Sequence, residues 1–224
     1  MAGKSPRYTT FVIRLPRSAP TLQLERALLA AGYRAIAGVD EVGRGSWAGP
    51  VVAAAVVLPL NRPRALWGLA GVRDSKQLSP LQREEAFGAI LAATRAVGIG
   101  WATHRVIDRD GMAAANRRAM EQAVRHLMVA PDALLIDHFT LAGCPLAQIG
   151  VTRGDSRSLS IAAASIVAKV FRDRWMERCD ARFPGYGFGR HKGYGTAGHR
   201  RAIDDLGPSP IHRLSFAPLV SRAW

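Results

Sequence analysis

Acidic residues are scarce in this chain. Seventeen Asp and Glu stand against 31 Lys and Arg, leaving a formal net charge of +14 and a pI of about 11.2. Such a surface repels cationic partners and attracts polyanions, nucleic acid first and anionic membrane second. Cysteine is scarcer still. Cys144 and Cys179 are the only two, and with no CxxC pair they support neither a disulfide framework nor a structural zinc centre. The six histidines form no HxH or HExxH pattern, which argues against a zinc enzyme. Ser156, Ser158 and Ser160 lack a paired His-Asp arrangement, so serine hydrolysis has no support. Long apolar runs are missing too. The longest, Ala48–Leu60, has 13 residues and includes Gly and Pro, too few to cross a bilayer. Phe11-Val12-Ile13 is too short for the core of a secretory signal. A cytoplasmic protein with no membrane partner is expected.

The length of 224 residues and a hydrophobic content of 48% suit one domain with a small appended subdomain. Residues 1–33 read as a basic N-terminal arm and a short helix. The first twenty carry three prolines, four basic residues and no acid, and Thr21 is expected to cap a helix that ends at Gly32. Residues 34–182 read as the main domain. Arg34–Val42 and Val51–Leu58 are β-rich and close together, which predicts a hairpin across a glycine loop. Ser79-Pro80-Leu81-Gln82 is a capping box and predicts a helix to about Thr94. A strand over Val97–Thr103 follows, then a polar loop with Asp108 and Asp110, then a helix over Ala113–Val129. Ala133–Ile136 predicts a buried strand ending at Asp137, and Leu146–Val151 a weaker one. Ser158–Arg182 predicts the longest helix, with small residues Ala162-Ala163-Ala164-Ser165 that let it lie close to a sheet. Residues 183–224 read as a basic helical subdomain, with a helix near Thr196–Leu206. The order of elements predicts an α/β fold, a mixed sheet flanked by helices.

Because acids are few, their positions are informative. Residues 37–50 read AGVDEVGRGSWAGP. An apolar approach delivers Asp40 and Glu41, then Gly43-Arg44-Gly45. Neighbouring side chains in a strand point to opposite faces, so one acid should face a site while the other lies behind it, unless the strand bends. Carboxylates suit Mg²⁺ or Mn²⁺, while bare backbone N–H groups and a guanidinium suit phosphate oxygens. Gly38-x-x-x-x-Gly43 has the spacing of a P-loop, but Arg44 and Gly45 stand where Lys and Ser/Thr are required, so that reading is rejected. Asp137 follows Leu134-Leu135-Ile136, and Asp155 sits in Arg153-Gly154-Asp155-Ser156. Taken singly, Asp137 also fits a turn and Asp155 a helix cap. Meeting at one sheet edge, four acids would repel strongly without cations. Two divalent ions roughly 3.5–4 Å apart would neutralise them and clamp both oxygens of an in-line phosphoryl displacement. On so basic a surface, that arrangement points to a nuclease.

AGVDEVGRG, LLID, GDSRSLSIAAASIVAKV, GYGFGRHKGYGT and GPSPIHRLSFAP together resemble bacterial ribonuclease HII, from about Ala37 to Pro218. The resemblance implies an RNase H-like fold with a small C-terminal helical subdomain. It implies cleavage of the ribonucleotide-containing strand in RNA/DNA hybrids or in DNA with embedded ribonucleotides, leaving 3′-hydroxyl and 5′-phosphate ends. The family's four catalytic, metal-binding acids map onto Asp40, Glu41, Asp137 and Asp155, its GRG element onto Gly43, Arg44 and Gly45, and its ribose-stacking tyrosine onto Tyr194. Arg153 stands where many relatives have lysine, and both are cations. Arg153 and Lys192 are taken as further substrate-binding candidates. Arg190, His191, Lys192, Arg200, Arg201 and Arg213 form the densest basic region, expected to hold the duplex backbone, with Ser75 and Lys76 as minor phosphate contacts and Asp74 as a turn residue. Two alternatives remain: an RNase H-like DNA nuclease of resolvase or transposase type, and a non-enzymatic basic RNA-binding protein. With no signal for oligomerisation, a monomer is the expectation.

Overall fold

In a computed structural model that describes residues 19–221, five strands form one sheet in the order β3-β2-β1-β4-β5. They are β1 (Ile36–Val42), β2 (Val51–Val57), β3 (Ala96–Ala102), β4 (Ala133–Asp137) and β5 (Ala147–Val151). The first three form an antiparallel meander, with Asp40 opposite Ala54 and Ala54 opposite Ile99. β4 then runs parallel to β1, and β5 parallel to β4. The sheet is therefore mixed, as the order of elements predicts. Of the basic arm expected over the first twenty residues, residues 1–18 lie outside the described residues.

Among the described residues, seven α-helices accompany the strands: α1 (Gln23–Ala30), α2 (Pro80–Ala93), α3 (His104–Asp110), α4 (Met112–Arg125), α5 (Leu159–Arg182), α6 (Phe188–His191) and α7 (Ala197–Leu206). α2 begins with the expected capping box between Ser79 and Gln82, Ser158 caps α5 and Thr196 caps α7. Each cap oxygen satisfies an N–H that has no carbonyl within its helix. Thr21 stands one residue before the formal N-cap, Leu22, yet its Oγ1 accepts from Gln23 N, the first N–H of α1, at 3.3 Å, and its backbone also bridges Ser158. One expectation is corrected. Asp108 and Asp110 belong to α3 rather than to a loop. The Asp108 carboxylate accepts from the backbone N–H groups of Leu214 and Ser215, both at 3.0 Å, and so ties down the chain's last turns.

Strand alternation divides the interior. Ala37, Val39, Ala53, Ala55, Leu134 and Ile136 pack with Ala115, Ala119 and Met120 of α4. Val52, Ala54 and Val56 pack on the opposite face with α5 and α2. From Leu159 to Ala168, every residue of α5 is buried, because it lies directly on the sheet. Gly38 permits this. A Cβ there would stand 2.1 Å from the Ser160 carbonyl carbon, so any larger residue would push α5 off β1 and open the core. Glu25 of α1 is buried, and its Oε1 accepts from Ser158 Oγ, Ser160 N and Ser160 Oγ at 2.7, 2.9 and 2.7 Å. One carboxylate thus fixes the start of α5, and with it the approach to the four acids.

Candidate active site

Asp40 and Asp137 stand at the carboxyl ends of neighbouring parallel strands, on the α5 side. Glu41, one residue on, points to the α4 side, as alternation requires and as its pairing with Ala53 shows. Asp155 comes from a single 3-10 turn, Gly154–Ser156, between β5 and α5. The chain brings the four together. Burial raises the Asp40 carboxyl well above its ordinary range, and the charges of Asp137, Glu41 and Asp155 raise it further. Burial likewise raises Glu41, with Asp137 adding and Arg44 opposing. Asp137 is raised chiefly by burial, against a hydrogen bond from Gly154 N at 2.7 Å. Asp155 is pushed up to about 6, by burial first and by Asp74 and Asp137 next.

Among the described residues no three His, Cys, Asp or Glu side chains are already drawn together as a metal cage. Each carboxylate leans on a local donor instead. Glu41 Oε1 takes Arg44 Nη1 at 3.2 Å, Asp40 Oδ1 takes the Glu41 N–H at 2.7 Å, and Asp155 Oδ2 lies 3.9 Å from Lys76 Nζ. Each of these donors offsets part of the like-charge repulsion. Glu41 Oε2 is buried with no hydrogen-bond partner. An all-carboxylate donor set with an unsatisfied buried oxygen suits a hard divalent cation, so the residues fit Mg²⁺ or Mn²⁺ and do not fit zinc.

The GRG turn follows β1 directly. Gly43 has φ of +89°, and a Cβ there would lie 2.2 Å from Arg172 Nε, so the turn needs glycine for both conformation and space. At Gly45 nothing stands within 4 Å of a Cβ position, which leaves that backbone open to a ligand. Two fully buried arginines lie beneath. Arg213 donates to the carbonyls of Gly49, Arg44 and Gly43 at 2.9, 2.9 and 2.7 Å. Arg172 donates to Pro50, Lys192 and Ala48 at 2.9, 2.8 and 3.1 Å. Neither is ion-paired with a carboxylate among the described residues. With the Gly43 and Arg44 carbonyls held inward, the N–H groups of Gly43, Arg44 and Gly45 donate to no backbone group among the described residues. They form a small nest of free donors.

Tyr194 joins this turn from the far end of the chain. Its backbone bridges Ser46, and Trp47 N donates to Gly193 O at 2.8 Å. The half-buried ring has Arg172 Cζ 5.5 Å and Lys169 Nζ 5.7 Å from its centre. Arg153 is exposed, in a left-handed conformation with φ of 55°. With Arg73 and Lys76 it lines an open cavity of about 840 Å³ beside Asp155.

Three expectations change. Arg213 cannot meet phosphate, because it is buried against the GRG carbonyls. The Lys192 ammonium is committed to Glu177 Oε1 at 2.6 Å and to the Gly189 carbonyl, so it braces the tyrosine loop rather than reaching for substrate. Ser75 is buried and bonded to Ser165 Oγ at 2.9 Å, while Asp74 accepts from Lys76 N as a turn residue does. Arg172 was missed altogether, since in sequence it is one more basic residue in a charged helix. Its signal was position: it falls on the buried stripe with Ala168 and Met176, where an arginine must find acceptors.

Comparison with known proteins identifies the family. Residues 37–219 match the family model of ribonuclease HII. The chain is 52% identical over 209 residues to the ribonuclease HII of Roseiflexus castenholzii, covering 92% of each. It is 53% identical over 201 residues to that of Chloroflexus aurantiacus, covering 90% of this chain and 95% of the relative. The crystal structure of ribonuclease H2 from Pyrococcus horikoshii OT3 matches with a TM-score of 0.69 at 25% identity, over 84% of this chain and 96% of that one. With the family model matched over most of its length and relatives about half identical to it, the chain belongs to the ribonuclease HII family.

Proposed function

We propose that the four acids, the GRG turn and Tyr194 together cut a nucleic-acid strand on the 5′ side of a ribonucleotide, leaving 3′-hydroxyl and 5′-phosphate ends. The family assignment makes the chain a ribonuclease H endonuclease, a phosphodiester hydrolase of a metal-dependent family. The proposed substrates are RNA/DNA hybrids and duplex DNA with embedded ribonucleotides. The observation that carries the reading is the join between recognition and chemistry. The free N–H groups of residues 43–45 begin two residues beyond Glu41, and the next residue, Ser46, bridges Tyr194.

Asp40, Glu41, Asp137 and Asp155 would hold Mg²⁺ or Mn²⁺, which when bound would activate water, neutralise the phosphate and stabilise the leaving oxygen. The chain's own groups then do the selecting. The N–H nest reads the 2′-hydroxyl, the group that distinguishes RNA from DNA. Arg44 has a half-exposed side chain held by a single Glu41 oxygen, and it turns to the adjacent phosphate. Tyr194 lays its ring on the neighbouring deoxyribose, favouring an RNA-to-DNA step. Arg153, Lys76 and Arg73 line the cavity beside Asp155 and take backbone phosphates. Lys192 contributes by holding the tyrosine loop.

Residues 34–182 serve as the catalytic domain and 183–224 as a basic subdomain that supplies Tyr194. No helix of the described residues is long and apolar enough to cross a membrane, and a cytoplasmic monomer is the reading we favour. The experiment compares two labelled duplexes with Mg²⁺ or Mn²⁺ present, one all-deoxy and one with a single ribonucleotide. The second should be cut once, on the 5′ side, and the first should survive. Equal cutting of both would leave only a generic metal nuclease, because a site that bonds a hydroxyl rejects an analogue lacking it strongly.

A further inference from the structure

Beneath the Tyr194 loop lies a group of imidazoles that the chemistry above leaves unused. His199 and His212 are 0% and 2% exposed. Their Nε2 atoms lie 2.9 Å apart, and His199 Nδ1 lies 3.0 Å from the Tyr194 carbonyl oxygen. At the other end, His212 Nδ1 is 2.8 Å from the Ser209 backbone N–H and 2.8 Å from Ser209 Oγ.

The chain of bonds admits one neutral arrangement. A backbone N–H can only donate, so His212 Nδ1 accepts and its proton sits on Nε2. That proton points at His199 Nε2, which must therefore accept. The His199 proton is then on Nδ1, where it is donated to the Tyr194 carbonyl. A second proton on His199 would set two N–H groups against each other. Burial fits this, holding both imidazoles down at about 4. His191 stacks on His199 with centroids 4.2 Å apart. Its Nδ1 accepts from Gly193 N at 3.2 Å, and its Nε2 lies 2.8 Å from the Tyr186 carbonyl. Both sides of the Gly193–Tyr194 unit thus rest on imidazoles, while Gly193 O is held by Trp47.

We propose that His212 and His199 are positioning residues, a relay of fixed tautomers that sets the Tyr194 backbone and so aims its ring at the substrate sugar. The inference rests on the stacking role given to Tyr194 above. Surface hydrogen bonds could not do this, because water would compete for the Tyr194 carbonyl. Buried against the rings of Phe188 and Tyr186, the relay meets no such competition.

Two variants separate position from mere packing. His199→Asn keeps a donor where Nδ1 was, and His199→Gln keeps a polar group only where Nε2 was. With the single-ribonucleotide duplex, H199Q should lose about as much kcat/KM as Tyr194→Ala, on the order of tenfold. H199N should recover most of that loss, and H199Q combined with Tyr194→Ala should be no worse than Tyr194→Ala alone. Imidazole ¹⁵N NMR of the full chain, without substrate or metal, should show His199 protonated on Nδ1 and His212 on Nε2. The relay is overturned if either tautomer is reversed, if H199N does no better than H199Q, or if the double-variant losses multiply. If Tyr194→Ala cuts the single-ribonucleotide duplex normally, the stacking role itself fails. That failure is distinct, because the tautomers are read with no substrate present.

Discussion

At the carboxyl ends of β1 and β4, like charges crowd together, and among the described residues Arg44, Lys76 and His138 oppose them only from the margin. Beneath the GRG turn Arg172 and Arg213 also crowd. Burial lowers both, and Arg172 lowers Arg213 further, to about 9. The two regions are electrostatic opposites that have been completed differently. The arginines' donors meet six backbone carbonyls, so their burial closes the structure. The acids instead raise one another's protonation, and Glu41 Oε2 is buried with no hydrogen-bond partner, a donor set that suits a hard divalent cation. Buried charge that is satisfied supports a fold, whereas buried charge of one sign left unsatisfied marks chemistry.

Substitutions in the two regions should therefore part company. The largest effect is expected from Asp40→Asn, which should lower cleavage by on the order of 10³-fold while raising the thermal midpoint of the metal-free protein, since it relieves repulsion. Arg213→Met should do the reverse for stability. Removing the donor from three buried carbonyls should cost about 3 to 5 kcal/mol in urea unfolding, and a loss under about 1 kcal/mol would show that the turn holds itself. Tyr194→Ala is expected to fold normally and to lose about tenfold on the single-ribonucleotide duplex. It should lose less on a long hybrid, where other registers are open. An equal loss on both would remove its part in choosing the junction.

The smallest predicted effect is one of sign with pH. Asp155 is pushed up from 3.8 to about 6, so the fold prefers its neutral form. Its contribution is complete below about pH 4 and is lost as pH rises towards 6. His199 and His212 are pushed down from 6.5 to about 4. Their contribution is complete above pH 6.5 and is lost as pH falls towards 4. In metal-free melts across this window, Asp155→Asn should make the protein more acid-labile and His199→Asn less so. A shared direction for both variants would refute the contrast.

Sequence made much of the sheet legible because its signals are local. The hairpin across Gly43–Gly45, the Ser79–Gln82 box and the apolar run ending at Asp137 each need only a few neighbouring residues. What stayed hidden was set by contacts between distant residues. Arg213 looks like a phosphate ligand until β1 and the last turns are seen packed together, 170 positions apart. Ser75 looks exposed until Ser165 meets it. Asp108 looks like a loop acid until Leu214 and Ser215 close on it. The parallel pairing of β1 with β4 brings Asp40 beside Asp137, and periodicity could suggest that convergence without fixing the partner strand.

The claim that the crowded acids form a cation site is tested most directly by melting the protein while Mn²⁺ or Mg²⁺ is added, with no substrate present. Binding to the folded state alone should raise stability, by about 2.7 kcal/mol at a hundred times Kd. Asp40→Asn should start from a higher metal-free midpoint and respond far less. An unchanged wild-type midpoint under saturating ion, or an Asp40→Asn variant that gains as much as wild type, would contradict the account.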